Sequence, residues 1–367
     1  MKKVLVLAGD GIGPEILAQT MRVVQWFVEQ RGVKMEVREE LFGISAWKKY
    51  QNLMRDETWQ HVLASDAILF GATGSPEYEK IPYEARRQDQ LLRMRKELDL
   101  FINLRPVKAI KALQDSSTLR PEVLEGTDMV LVRELSAGLY FGTPRGIETL
   151  PDGHRRVVNT MVYTDTEIER IARAAFELAR TRRNKVCSVD KGNVLENGQL
   201  WRDTVVALHQ KEYRDVELTH LYVDNAAMQI VRNPRQFDVM VTENLFGDIL
   251  SDCAAMCAGS IGMMPSASLS APAASGRKAL YEPIHGSAPD IAGQGIANPL
   301  GSILSFAMCL AHTFNQPQEA KLLEQAVENV VAAGIRTRDI AAPGGKSVGT
   351  VEMGDAVVRE LDRLHRA

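Results

Sequence analysis

Val4-Leu-Val-Leu-Ala-Gly-Asp-Gly-Ile-Gly-Pro-Glu15 sets an apolar run against a glycine-rich turn, and the amphipathic residues 16–30 follow at once. A short run with no polar residue is the pattern of a strand buried on both faces, while Pro14 suits the first turn of a helix. The segment therefore reads as strand, loop and helix, the repeating unit of an α/β fold. Its glycines fall as G-x-G-x-G-P and miss the third glycine of the fingerprint G-x-G-x-x-G, which argues against a standard Rossmann fold.

Outward from there the alternation continues. Residues 33–39 alternate as a strand, 56–65 look helical, and 67–70 form a buried strand ending in Gly71-Ala-Thr-Gly-Ser-Pro76, a loop of the kind that binds ligands in open α/β sheets. Further strands are expected at 100–104, 128–132, 185–189, 218–223 and 237–241, and helices at 166–183, 201–213, 298–314 and 318–333. Residues 138–142, the turn Pro151-Asp-Gly-His154 and residues 156–163 predict two strands paired as a projecting hairpin over 138–163, either an arm that clasps a partner subunit or a surface flap. At 367 residues the chain exceeds a usual single domain, so two are expected.

Composition narrows the function classes. With 45% hydrophobic and 25% charged residues the chain can bury a large core, and its net charge of −3 gives no broad attraction to nucleic acid or an anionic membrane. Cys187, Cys253, Cys257 and Cys309 form no CxxC pair, so buried thiols are expected rather than a zinc site, and a cytoplasmic setting follows. The opening apolar run is too short for a signal sequence, and no stretch is long enough to span a bilayer.

The chemistry concentrates in Val241-Thr-Glu-Asn-Leu-Phe-Gly-Asp-Ile-Leu-Ser-Asp252. Asp248 and Asp252 stand four apart, so on a helix their carboxylates share a face one turn apart and repel. A cation would offset that, and with oxygen ligands alone Mg²⁺ or Mn²⁺ fits better than zinc. The plain alternative is a solvated helix start that favours aspartate. Arg105, Arg133, Lys191, Asp224 and Asp248 each follow an expected strand closely. Together they suit one pocket, with arginines that grip carboxylates, aspartates that hold a divalent ion and a lysine that relays protons. Such an inventory fits an acid with a hydroxyl beside a carboxylate. For any one arginine a structural ion pair explains as much, and a phosphatase-like or aldolase-like Mg²⁺ enzyme would use the same groups.

GDGIGPE (9–15), RKELDLFINLRP (95–106), VRELSAGLYFG (132–142), SVDKGNVL (188–195), TENLFGDILSD (242–252) and EPIHGSAPDIAG (282–293) together resemble the isocitrate/isopropylmalate dehydrogenase family of β-decarboxylating dehydrogenases. The resemblance implies two α/β domains with mixed sheets flanked by helices, the first from residues 1–100 and 259–367 and the second from 101–258, with the site in the cleft and a homodimer formed through the second domain. It implies Arg95, Arg105 and Arg133 on the substrate carboxylates, Asp224, Asp248 and Asp252 on Mg²⁺ or Mn²⁺, and Lys191 and Asp224 reaching the site across the subunit interface. Lys191, aided by Asp224, would take the C2 hydroxyl proton as hydride leaves for NAD, and Tyr140 would protonate the enolate carbon after CO₂ departs. Burial among charges is expected to lower the proton affinity of Lys191. For the cofactor the resemblance implies Ile12, the loop of His285, Gly286, Ser287, Ala288, Asp290 and Ile291, and Asn298, with Asp290 favouring NAD because a carboxylate repels a 2′-phosphate.

Leu91, Leu92 and Val194 occupy the family's specificity positions and offer an apolar surface, so the implied reaction is the NAD-dependent oxidative decarboxylation of 3-isopropylmalate to 4-methyl-2-oxopentanoate, a step of leucine biosynthesis. The alternative is a relative acting on another alkyl or aralkyl malate, homoisocitrate, tartrate or D-malate. Arg93 keeps homoisocitrate in view. Gln88, Gln90, Cys253 and Ala258 depart from the family wording, and residues 42–55 lack its usual glycines.

Overall fold

The computed structural model describes residues 1–82, 85, 90–273, 276–342 and 344–366. Gln88 lies outside them. Strands follow in chain order as β1 (Lys2–Gly9), β2 (Met35–Glu40), β3 (Ala67–Ala72), β4 (Ile102–Lys108), β5 (Asp128–Glu134), β6 (Gly146–Thr149), β7 (Arg155–Val158), β8 (Lys185–Asp190), β9 (Glu217–Tyr222), β10 (Val239–Thr242), β11 (Pro265–Leu269) and β12 (Ala279–Pro283).

The chain divides into two compact units, one of Met1–Leu100, Lys108–Glu125 and Ala255–Ala367, the other of Phe101–Val107 and Gly126–Ala254. This differs from the sequence boundaries chiefly at 108–125, which packs with the first unit. Lys108 pairs with Glu328 at 2.6 Å, Asp115 pairs with Arg336 at 2.7 Å, and Leu113 is buried. These contacts join residues more than two hundred positions apart, so no local pattern announces them.

In the first unit the strand order is β2-β1-β3-β12-β11. β1 pairs in parallel with β2 and β3, β3 with β12, and β11 runs antiparallel to β12, so the sheet is mixed. Helix Gly13–Arg31 buries Ile16, Leu17, Val23, Val24 and Phe27, as its amphipathic pattern requires. It packs on β1, β3 and helices Leu300–His312 and Thr350–Arg366. The glycine loop has a packing role. Gly11 has φ +57°, and a Cβ there would lie 2.0 Å from the Ser287 carbonyl oxygen, while the Ile12 N–H donates to that same oxygen at 2.8 Å. Asp10 is buried and accepts from Ile44 N, Gly74 N and the Tyr78 hydroxyl at 2.8, 3.0 and 2.9 Å.

The second unit orders its strands β4-β5-β10-β8-β9, with β5, β10, β8 and β9 parallel in register. Helix Asp165–Arg180 lays Ile168, Ile171, Ala172, Ala175, Phe176 and Ala179 on this sheet, and Thr164 and Glu167 close its start as a reciprocal capping box. β6 and β7 pair antiparallel as an exposed hairpin. The first expected strand does not begin at 138: Gly138–Tyr140 is one helical turn, entered at Gly138 with φ +77°, where a side chain would collide with the Tyr163 hydroxyl. Arg105 also differs from expectation, since it lies inside β4 and not at its end.

Candidate active site

The acidic segment forms the helix Asn244–Ala255, entered directly from β10. Glu243 closes its start, accepting from the backbone N–H of Leu245 and Phe246 at 3.0 and 2.7 Å. One face, at spacings of three and four, carries Asn244, Gly247, Asp248, Ser251 and Asp252.

That face holds two arginines. Arg133, at the end of β5 and 1% exposed, donates from Nη1 to Asp248 Oδ1 at 2.6 Å, and from Nε and Nη2 to Asn244 Oδ1 at 3.1 and 2.7 Å. Arg105 donates from Nη1 to Ser251 Oγ at 2.6 Å and to Asp248 Oδ1 at 3.3 Å, and from Nε to Asn103 Oδ1 at 2.8 Å. Its Nη1 lies 3.8 Å from Asp252. The other oxygen of Asp248 accepts from the Tyr140 hydroxyl at 2.8 Å. Gly247 makes room for this: a Cβ there would sit 2.6 Å from Arg133 Cγ.

Charge and burial tune these groups. Burial first, and then the bond to Asp248, push the Tyr140 hydroxyl above its usual range, so it holds its proton firmly. Burial also raises Asp252; Arg105 opposes the rise and neighbouring Asp248 adds to it. Behind the face, burial raises Glu243, and the Tyr163 hydroxyl donates to it at 3.2 Å. Glu134 is fully buried beside Arg133, accepts from Ser136 N and Ala137 N at 3.0 and 2.9 Å, and is pushed up to about 6 by burial.

Lys191 and Asp224 make a separate pair, Nζ to Oδ1 at 2.7 Å, after β8 and at the start of helix Val223–Arg232. Their side chains are 26% and 65% exposed, so the lysine is partly covered within this chain while the aspartate stands open. The bond to Lys191 holds the Asp224 carboxyl below its usual range. Among the described residues no three acidic, histidine or cysteine side chains gather as a metal cluster, so Asp224 does not join Asp248 and Asp252 within this chain. Two carboxylates on one helix face still fit Mg²⁺ or Mn²⁺, ions held by one or two carboxylates with water or substrate completing the shell.

The remaining candidates divide by unit. In the first, Arg95 is buried and donates to Glu282 at 2.9 Å, while its Nε has no hydrogen-bond partner. Leu91 packs in a core cluster with Met94, Leu98, Phe42 and Phe70, and Leu92 is half-buried. Ala288 and Ile291 pack on Ile12, Ile16 and Ala297. Ser287 is buried, and Gly286 and Asp290 are exposed. His285 Nε2 is buried without a partner, burial lowers that imidazole's pKa, and no ion pair engages the Asp290 carboxylate among the described residues. Asn298 is occupied, donating to Asp339 at 3.0 Å and accepting from Leu300 N at 2.9 Å, which makes it a helix-start residue. In the second unit Val194 is 66% exposed. Sequence reading missed Asn244, Gly247 and Ser251; their helical spacing with the two aspartates was the available signal.

A family described as isocitrate/isopropylmalate dehydrogenase matches residues 3–357. A 3-isopropylmalate dehydrogenase of Paramagnetospirillum magneticum is 56% identical over 99% of both chains. A 3-isopropylmalate dehydrogenase 1 of Bradyrhizobium diazoefficiens is 58% identical over 98% of this chain and 96% of its own. Among solved structures, isocitrate dehydrogenase from Methylococcus capsulatus superposes with a TM-score of 0.86 at 32% identity, covering 98% of this chain and 99% of that one.

Proposed function

The chain belongs to the isocitrate/isopropylmalate dehydrogenase family, and from that premise we propose that it oxidises and decarboxylates 3-isopropylmalate to 4-methyl-2-oxopentanoate and CO₂, with NAD as hydride acceptor, in leucine biosynthesis. The observation that carries this is the convergence of Arg105, Arg133 and Tyr140 on one carboxylate, that of Asp248. Two guanidinium donors and a protonated hydroxyl that meet on a carboxylate suit a substrate of that same chemistry.

Arg105 and Arg133 bind the malate carboxylates, and Arg95 adds the contact the family resemblance implies. Lys191, kept beside Asp224, accepts the C2 hydroxyl proton while the C2 hydride passes to the nicotinamide. The C3–carboxylate bond then breaks, CO₂ leaves, and its electron pair stays on the organic fragment as an enolate. Tyr140 gives its proton to that carbon, a role its raised pKa suits, since the hydroxyl is still protonated when the enolate forms. Asp248 and Asp252, with Asp224 of the partner subunit, would hold Mg²⁺ or Mn²⁺, which when bound would supply Lewis-acid stabilisation of negative charge developing on the substrate.

A homodimer suits the exposed Met228, Val231 and Ile249 on helices Val223–Arg232 and Asn244–Ala255, apolar groups beside the Asp224 and Asp248 positions. Asp290 and the 285–291 loop receive the adenosine, with NAD preferred over NADP. Leu92 and Val194 offer apolar surface to the isopropyl group, next to Leu91. The four cysteines are free thiols, as a reducing cytoplasm would keep them.

A steady-state panel tests the reading: 3-isopropylmalate, isocitrate, homoisocitrate, D-malate, tartrate and bulkier alkylmalates with NAD and NADP, followed by nicotinamide absorbance. The highest kcat/KM is expected for 3-isopropylmalate with NAD. A tricarboxylate ranking first would overturn the apolar pocket, and NADP ranking first would overturn the Asp290 assignment.

A further inference from the structure

Asn244 is fully buried, and both ends of its side-chain amide are in use. Oδ1 accepts from Arg133 Nε and Nη2 at 3.1 and 2.7 Å, and Nδ2 donates to the Ala137 carbonyl at 3.0 Å. Its backbone N–H donates to the Tyr163 hydroxyl at 3.0 Å. A flipped amide would set its NH₂ against guanidinium donors and its oxygen against a carbonyl, so one orientation is selected. With Nε and Nη2 anchored, Arg133 turns Nη1 to Asp248. At the other end, Ala137 immediately precedes the Gly138–Tyr140 turn, so the same amide ties down the backbone that carries Tyr140.

We infer that Asn244 is a positioning residue for the reaction: a single side-chain amide fixes the Arg133 guanidinium and the backbone that delivers Tyr140. The inference rests on the function proposed above, where one of these groups binds the acid and the other donates the final proton. A merely structural asparagine would stabilise the helix start and leave the kinetic constants in proportion. A positioning asparagine separates them, because neither group it holds has a part in binding NAD.

The test uses the full chain with Mg²⁺ and steady-state kinetics in both substrates, together with thermal unfolding. For Asn244→Ala, KM for 3-isopropylmalate is expected to rise roughly tenfold or more and kcat to fall by a similar factor, with KM for NAD within about twofold of wild type. Asn244→Asp keeps the oxygen that Arg133 needs and loses the donor to Ala137, so KM for the acid should return towards wild type while kcat stays low. If Asn244→Ala does not fold, Asn244→Asp decides alone: low kcat at unchanged KM supports the inference, and wild-type constants overturn it. KM for the acid and for NAD rising together, or Asn244→Asp matching Asn244→Ala in every constant, would also overturn it. A wild type that turns over none of the panel acids defeats the functional reading and this inference with it, whereas an active wild type and an unaffected Asn244→Ala defeat this inference alone.

Discussion

Arg133 and Asp224 sit in the same unit and are assigned to the same reaction, yet their settings are opposite. Arg133 is 1% exposed, with partners at Asn244 and Asp248. Asp224 is 65% exposed, and its carboxylate is ion-paired to Lys191 at 2.7 Å. The arginine side is therefore preorganised: its side chains have already lost their rotamer freedom, so substrate ordering costs less there. The lysine side is a solvent-screened pair whose geometry the chain does not enforce. One chain builds the arginine cluster and leaves the Lys191–Asp224 pair open, the division expected if that pair serves a second copy.

Three substitutions probe this contrast. Arg133→Met removes one partner of a buried ionic network, so kcat/KM should fall about 10³-fold and stability by about 3 kcal/mol, read by steady-state kinetics and urea unfolding. Loss of activity with unchanged stability would mean that the fold does not hold the arginine cluster in place. Lys191→Met should lower kcat by roughly 10²- to 10⁴-fold while the melting temperature stays where it was, because general-base catalysis is lost and an exposed pair contributes little to folding. A large drop in melting temperature would make the pair structural and erase the contrast.

The smallest effect lies behind the clamp. Burial lifts the Glu134 carboxyl from 4.5 to about 6. The native state then holds the proton more tightly than the unfolded chain, so Glu134 contributes less stability as pH rises through that window. The full loss is about 2 kcal/mol from well below pH 4.5 to well above pH 6, and somewhat over half of it falls between those two values. Unfolding free energies measured across this range should fall more steeply for wild type than for Glu134→Gln, and parallel slopes would show that burial leaves the Glu134 carboxyl with the same pKa folded and unfolded.

Much of this was legible in the sequence because strands such as β1 and β3 and the Asp165–Arg180 helix carry their own periodicity. The Asp248–Asp252 pair and both arginines were readable from type and spacing. The final helix Thr350–Arg366 went unread although Met353, Ala356, Val357 and Leu361 line its buried face, since its polar residues outweigh that stripe on average. The 108–125 excursion and the Gly138 turn depend on contacts far along the chain and on one backbone angle, neither of which a local pattern encodes. Leu91 illustrates a different limit: an apolar residue at a specificity position and one in a hydrophobic core look alike in sequence.

Subunit complementation tests the division of labour most directly. Lys191→Met and Asp248→Asn chains are each expected to be inactive; they are mixed, denatured and refolded together, and NADH formation from 3-isopropylmalate is followed. If each site takes Lys191 from one chain and Asp248 from the other, half of the dimers are mixed and each keeps one intact site, so activity should recover to about a quarter of wild type. If both residues serve the same chain's site, every site in a mixed dimer carries one lesion, and no recovery above the separate variants would contradict the account.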